Sequence, residues 1–410
     1  MDRKEMLEIR KQRGMEIART CKITKRGSRW IVPSQSGHGT YSIIVKRGLP
    51  ICDCPDCQSR EIKCKHIWAV EMAITKQIDQ KGNVTVTKRL TYSQNWEAYD
   101  QAQTKQKGMF MELLNDLCGQ LPKPTYSFGR PRMPLGDMVF ASALKVFTTF
   151  SLRRFATDMQ TAKEKGLIDR VPHYSTVALY MEDGGLTPIL KELIKISALP
   201  LRTVESDFAV DASGFGTTRF ERWTERKYGG RVAGAKKWLK AHVMSGTKTG
   251  IVSAVDVSVV PEHEVKYLQP LLQETAENFD IKELSADKAY NSHDNMDAVN
   301  RVGAVPFIPY KRNTRARANG SSTWHKMWYY FMYRHEEFLE HYHKRSKAET
   351  TFHMIKSKFG DSLRSKTETA QINEILLKVL CHNICVVISE MHELGIEPNF
   401  KDSFVINSKV

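Results

Sequence analysis

The chain reads as a multidomain α+β protein with α/β character toward its C-terminus: a small cysteine-rich module, a helical domain, and a mixed sheet flanked by helices. Three observations predict this. At 410 residues the chain exceeds what a single hydrophobic core usually organises. Four of its eight cysteines crowd into residues 52–64, beside a histidine. Beyond Val204, helical periodicity gives way to short strand-like runs.

The first 50 residues carry 12 lysines and arginines against 4 acids, a net of +8, half of the formal +16 of the whole chain. Such a surplus favours a polyanionic partner, nucleic acid being the commonest. A second basic run comprises Lys311, Arg312, Arg315 and Arg317. The charged opening has no apolar signal core behind it, and no stretch approaches the ~18 apolar residues of a membrane span. A cytoplasmic protein without a membrane partner is the expectation.

Arg29–Pro33 and Tyr41–Lys46 alternate as strands around the polar turn 34–39, which predicts a hairpin. From Lys65 to Lys76 the apolar residues return at helical spacing. Between them lie Cys52-Asp53-Cys54 and Cys64-Lys65-His66. Three thiolates and one imidazole make a complete tetrahedral set for a structural zinc ion, and soft sulfur ligands argue against magnesium or calcium. Cys57, on the intervening loop, is a fifth candidate left outside the set. Together with Trp30-Ile31-Val32-Pro33-Ser34, Cys52-Asp53-Cys54-Pro55 and Cys64-Lys65-His66-Ile67, the segment resembles a SWIM-type zinc finger, which implies binding of DNA or protein rather than catalysis.

Residues 77–95 are polar and mark a boundary. Helices are expected near 97–118, 136–149, 151–165 and 184–197, interrupted by the proline-rich 121–134. Residues 151–181, two helices around Arg170-Val171-Pro172-His173, are a candidate helix-turn-helix. Strands follow at Asp207–Asp211, Trp238–Ser245, Ile251–Val259, Ile281–Ala286 and Ala304–Pro309; a meander that then alternates with helices predicts a mixed sheet. Ser292 is placed to cap the next helix and Gly303 to end it. Cys381 and Cys385, one turn apart in the apolar helix Ile372–Met391, read as core. The expected domains are 1–90, 91–204, 205–395 and a tail, 396–410.

Three acids stand where strands or a helix can bring them to one point: Asp211, Asp287 and Glu349. Each alone reads as a turn or salt-bridge residue. Tyr342, Arg345, Glu349 and Lys356, spaced three, four and seven residues apart, fall on one stripe of a helix. A carboxylate framed by cations on that stripe can hold a metal while the cations hold phosphates. These four residues, with Asp287-Lys288-Ala289-Tyr290 and Val210-Asp211-Ala212-Ser213-Gly214, resemble the DDE transposases of insertion sequences that carry a tyrosine–arginine–glutamate–lysine signature.

That resemblance covers residues 205–390 and implies a ribonuclease-H-like fold in which Asp211, Asp287 and Glu349 bind two magnesium (or manganese) ions for in-line phosphoryl transfer. It implies that Tyr342, Arg345 and Lys356 contact phosphates of double-stranded DNA, and that the protein acts as a homo-oligomer on transposon ends and target DNA, at the nucleoid of a prokaryotic host. Two other readings stand beside it: a metal-dependent nuclease without strand transfer, and a DNA-binding regulator without turnover. Trp324 and Trp328, next to the second basic run, are candidates for base stacking, and His353, one turn past Glu349, for a further contact.

Overall fold

The computed structural model describes residues 3–21, 23–26, 29–34, 39–46, 49–60, 63–71, 95–122, 128, 133–217, 238–259, 262–315 and 320–400. All but the last residue of the expected boundary at 77–95, most of the proline-rich 121–134, Arg317 and most of the C-terminal tail lie outside these residues. The chain forms two compact units, Met1–Tyr92 and Ser93–Val410.

The first unit begins with α1 (Arg3–Thr20) and a four-stranded antiparallel sheet in the order β1 (Thr24–Arg26), β2 (Arg29–Pro33), β3 (Thr40–Lys46), β4 (Leu49–Cys52). The predicted hairpin is its central pair, with Trp30 opposite Ile43 and Val32 opposite Tyr41. The two flanking strands were not expected, and their composition explains why. The β1 sequence Thr-Lys-Arg has no apolar alternation, and β4 contains Pro50, a residue that sheets tolerate at an edge. Among the described residues two short helices follow, α2 (Pro55–Arg60) and α3 (65–71). Gly14 lets α1 approach α3, since a Cβ there would lie 2.5 Å from the Trp68 Cβ. Arg10 ties α1 to α2 through paired hydrogen bonds of 2.9 and 3.0 Å to Asp56.

The second unit opens with five helices: α4 (Trp96–Cys118), α5 (Leu135–Thr148), α6 (Leu152–Glu164), α7 (Tyr174–Met181) and α8 (Leu186–Ala198). A five-stranded mixed sheet follows, with strands β5 (Asp207–Gly216), β6 (Trp238–Gly246), β7 (Val252–Ser258), β8 (Glu283–Ala286) and β9 (Val305–Phe307) in the order β7-β6-β5-β8-β9. The first three strands form an antiparallel meander; β8 and β9 run parallel to β5. Between and after them come α9 (Leu268–Ala276), α10 (His293–Arg301), α11 (Ser322–Tyr333), α12 (His335–Tyr342), α13 (Ser346–Phe359) and α14 (Glu368–Glu393). As expected, Ser292 caps α10, accepting from the Asn295 N–H at 3.1 Å, and Gly303 follows its end at φ +84°.

Both faces of the sheet are buried. On one, Phe215, Leu239 and Val243 share a core with Phe110, Leu144, Leu193, Ile355 and Leu380, so the N-terminal helices pack directly on the strands. On the other, Phe208, Val210 and Met244 pack with Leu271, Leu284, Val299 and Phe338. The opposite allegiance of Val243 and Met244 is the period-two alternation of a strand. The apolar helix α14 crosses the first core with Cys381 and Cys385 buried. Contrary to the sequence expectation, α14 is long and apolar enough to pass as a membrane span, yet 89% of that stretch is buried inside the protein. Its polar residues are spent internally: buried Asn383 hydrogen-bonds both the N–H and C=O of Val252 on the edge strand β7.

Candidate functional site

Parallel pairing of β5 with β8 ends at Val210 opposite Ala286. Asp211 is the next residue of β5 and Asp287 the residue that follows β8, so the two acids come from adjacent strands at the same end of their pairing, although among the described residues Asp211, Asp287 and Glu349 are not drawn into one close ligand cluster. The Asp287 carboxylate also accepts from the Lys288 N–H at 2.7 Å and starts a short helical turn, Lys288–Tyr290, that seats the buried Tyr290 behind it.

Glu349 lies in the first turn of α13 and is exposed. The expected single stripe is not one continuous α-helix. Tyr342 ends α12, a 3₁₀ turn spans His343–Arg345, and Glu349 and Lys356 sit on α13. The tighter turn is pinned from below: the Lys344 ammonium lies 2.7 Å from Asp207 and 2.6 Å from Glu283, the paired first residues of β5 and β8. A second clamp holds α13 itself. The hairpin turn after β6 reaches Gly250, at φ +82°, where a Cβ would lie 3.0 Å from the Thr351 Oγ1, and its carbonyl accepts from His382 at 2.9 Å.

With the turn fixed, Arg345 stands between two of the carboxylates. Its guanidinium is 3.4 Å from Asp211 and hydrogen-bonds Glu349. Burial pushes the Asp211 carboxyl up; Arg345 opposes this, while Glu349 and Glu264 reinforce it. Glu264, which the sequence reading missed, therefore belongs to the same electrostatic neighbourhood, held there by its ion pair with Lys240. Asp211 and Glu349, bridged by Arg345, are acids whose oxygen donors suit a hard divalent ion.

Lys356 does not project freely. Its ammonium donates to the Ser213 Oγ at 2.7 Å and the Gly214 carbonyl at 2.9 Å, tying α13 to the strand of Asp211. Tyr342 is half-buried with Arg345 5.9 Å from its ring. His353 is exposed. The stacking expectation for Trp324 fails: its indole is 6% exposed, stacked on His293 at 4.8 Å and hydrogen-bonded to Asn291 at 2.9 Å. Trp328 packs partly buried against the same core. The exposed aromatics of α11 are Tyr329 and Tyr333 instead.

In the first unit, β4 delivers Cys52, Cys54 precedes α2, and Cys64 and His66 stand at the start of α3. All four are buried, and their ligand atoms lie within 4.8 Å of one another. The His66 Nδ1 is 3.8 Å from the Cys52 Sγ and 3.9 Å from the Cys64 Sγ. Tetrahedral Zn–S bonds of about 2.3 Å require ligands roughly 3.8 Å apart, so the residues fit zinc. Cys57, partly exposed on α2, is not in this group. The Cys64 thiol is pulled down by hydrogen bonding from Cys52. Cys52 is pushed up by that same bond and then by burial, and Cys54 by burial first. Three buried thiolates this close would need a cation among them, which zinc would supply.

The second unit thus combines a mixed sheet, acids at two adjacent strand ends and a third acid on a following helix. Residues 202–384 match the family model described as "Transposase DDE domain", a span that contains Asp211, Asp287 and Glu349. The protein is a DNA transposase. A solved structure, piggyBac transposase in a synaptic complex with hairpin DNA, is similar at 10% identity and a TM-score of 0.34, over 71% of this chain and 74% of that one. No curated protein matches.

Proposed function

We propose that the protein cuts DNA at transposon ends and joins the ends to target DNA, using Asp211, Asp287 and Glu349 on a ribonuclease-H-like core as ligands for two magnesium or manganese ions. The observation that carries this reading is the register of β5 and β8, which sets Asp211 beside Asp287, combined with Arg345, which links Asp211 to Glu349. Bound divalent ions would activate the attacking oxygen and stabilise the leaving one. The carboxylates hold position because β5 is central to the sheet and Lys344 and Lys356 fix the ends of the segment bearing Glu349. Arg345, beside Asp211 and Glu349, would supply the cation that pairs with a scissile phosphate, and Tyr342 would orient that guanidinium.

The first unit is a SWIM-type finger in which Cys52, Cys54, Cys64 and His66 hold one zinc ion and present the basic N-terminal region to DNA. The helices of 91–204 contribute further DNA contacts, with 205–395 as the catalytic part. Two ends handled together require a homo-oligomer, working on duplex DNA in the cytoplasm of a prokaryotic cell. The experiment is strand joining by the zinc-loaded chain, with magnesium, from duplexes carrying the flanking terminal repeats into a target plasmid. Joined product supports the reading; nicking or cleavage that never joins identifies a nuclease, and binding without either a regulator.

A further inference from the structure

A cavity of about 280 Å³ opens among α5, α6, α7 and the loop leading into α14, apart from the three carboxylates. Lys145, Arg364 and Lys366 line it, with Ser151 and Leu152 at the start of α6. Glu182 is the acid among its lining residues.

Lys145 is the informative member. It is 7% exposed and lines the cavity, yet its ammonium makes no hydrogen bond or close ion pair among the described residues. A buried ammonium with no hydrogen-bonding acceptor is costly, and Glu374 offsets that only by charge at a distance. The neighbouring acid, Glu374, interacts with Lys145 by charge alone: its carboxylate accepts from the backbone N–H groups of Arg364 and Ser365 at 2.8–3.1 Å and pairs with Lys378 at 3.7 Å, so its oxygens are directed away from the Lys145 ammonium. Burial accordingly pulls Lys145 down, with Glu374 opposing only in part.

The backbone points the same way. Neither α6, 13 residues long, nor α14, 26 residues long, has a side-chain cap at its N-terminus, and both termini border the cavity through Ser151, Leu152, Lys366 and Ala370. Uncapped helix N-termini offer N–H groups and partial positive charge to an anion. Arg364 is held at the mouth by hydrogen bonds to the Thr149 and Phe150 carbonyls. The first turn of α6 adds the exposed Arg153 and Arg154.

We propose that this cavity is a phosphate site that seats one backbone phosphate of duplex DNA on Lys145, Arg364 and Lys366, away from the site of cleavage. It rests on the transposase reading for its source of phosphate. The apolar walls, Phe150 and Leu152, take the adjoining sugar, and the basic first turn of α6 follows the strand outward. The site fixes the register of the duplex without reading sequence.

The test is methylphosphonate scanning. A duplex of the transposon end is made with one phosphate neutralised at a time, and binding to the full-length, zinc-loaded protein is measured by fluorescence anisotropy. The wild type should lose about tenfold or more at one phosphate, and Lys145→Met should reduce that penalty to within about twofold. Lys366→Ala, at the exposed rim, should reduce the same penalty and flatten the dependence of log K on log salt by about 0.9, which keeps the test open if Lys145→Met fails to fold. A scan in which neither variant relieves any position overturns the proposal. So does saturable binding of dAMP that Lys145→Met abolishes with no sensitive duplex position, since the cavity would then serve a free nucleotide. Cleavage by the wild type is recorded on the same duplexes: active protein with an unrelieved scan sinks the phosphate site alone, whereas a relieved scan without cleavage sinks the catalytic reading alone.

Discussion

Replacing Asn383 by alanine should loosen the sheet that carries Asp211, and the size of the effect follows from its bonds. Asn383 is fully buried on α14. Its Oδ1 accepts from the Val252 N–H at 2.9 Å, and its Nδ2 donates to the Val252 carbonyl at 2.7 Å, the Ser197 Oγ at 2.9 Å and the Ile194 carbonyl at 3.2 Å. Ser197 and Ile194 bond each other at 2.7 Å, so they keep a partner without Asn383. Val252 lies on the edge strand β7, and its two outward-facing groups would be stranded. An unsatisfied buried polar group costs about 1–3 kcal/mol, which puts the loss near 3 kcal/mol for the pair. With a urea m-value of about 3 kcal/mol/M, the unfolding midpoint followed by circular dichroism should fall by about 1 M. Asn300→Ala, at an exposed position of α10, should move it by less than about 0.2 M. A shift for Asn383→Ala no larger than the control would refute the edge-strand clamp.

Zinc removal from the first unit should expose thiols and unfold residues up to about 71 while the second unit, with its own two cores, keeps its transition; thiol titration and helical signal read together check this, and full zinc release with unchanged spectra would contradict it. Burial holds His382 and His242 at about 4, each below its usual value. The unfolded state therefore takes up their protons first, so stability falls as pH drops from about 6.5 through 4, by up to about 1.4 kcal/mol per pH unit for each histidine; urea midpoints against pH should show the slope, and His382→Gln should reduce it. Trp324→Ala should cost about 3–5 kcal/mol as a core truncation, whereas Tyr333→Ala, 80% exposed, should stay within about 0.5 kcal/mol; thermal unfolding of both variants separates a packing role from a surface one.

Much of this architecture was legible in residue patterns because its determinants are local. Apolar alternation located β5 through β9, Ser292 announced its own cap, and the cysteine spacing placed four ligands that the fold brings together. What escaped depends on contacts distant in sequence. Nothing around Tyr342–Lys356 shows that the helix tightens at His343–Arg345, because the cause is Lys344 reaching Asp207 and Glu283. The neighbourhood of Glu264 and Asp211, and the tie from Lys356 to Ser213, are likewise tertiary. Trp324 misled because basic and aromatic residues interleave equally well on a nucleic-acid surface and on a helix whose far side is core. Its neighbours His293 and Asn291 come from a separate segment. In β1 and β4 the edge position allows polar residues and proline, which removes the alternation by which strands are recognised.

The most direct test of the central claim is the single-turnover rate of magnesium-dependent cleavage at a transposon end, measured for the wild type, Asp211→Asn, Asp287→Asn, Glu349→Gln and the exposed control Glu368→Gln. Loss of one metal ligand removes several kcal/mol of transition-state stabilisation, so each of the three should fall by about 10³-fold or more, with Glu368→Gln within about twofold of the wild type. Retention of more than about a tenth of the wild-type rate by any of the three, in protein that unfolds at the wild-type midpoint, would contradict the assignment of that carboxylate to the catalytic centre.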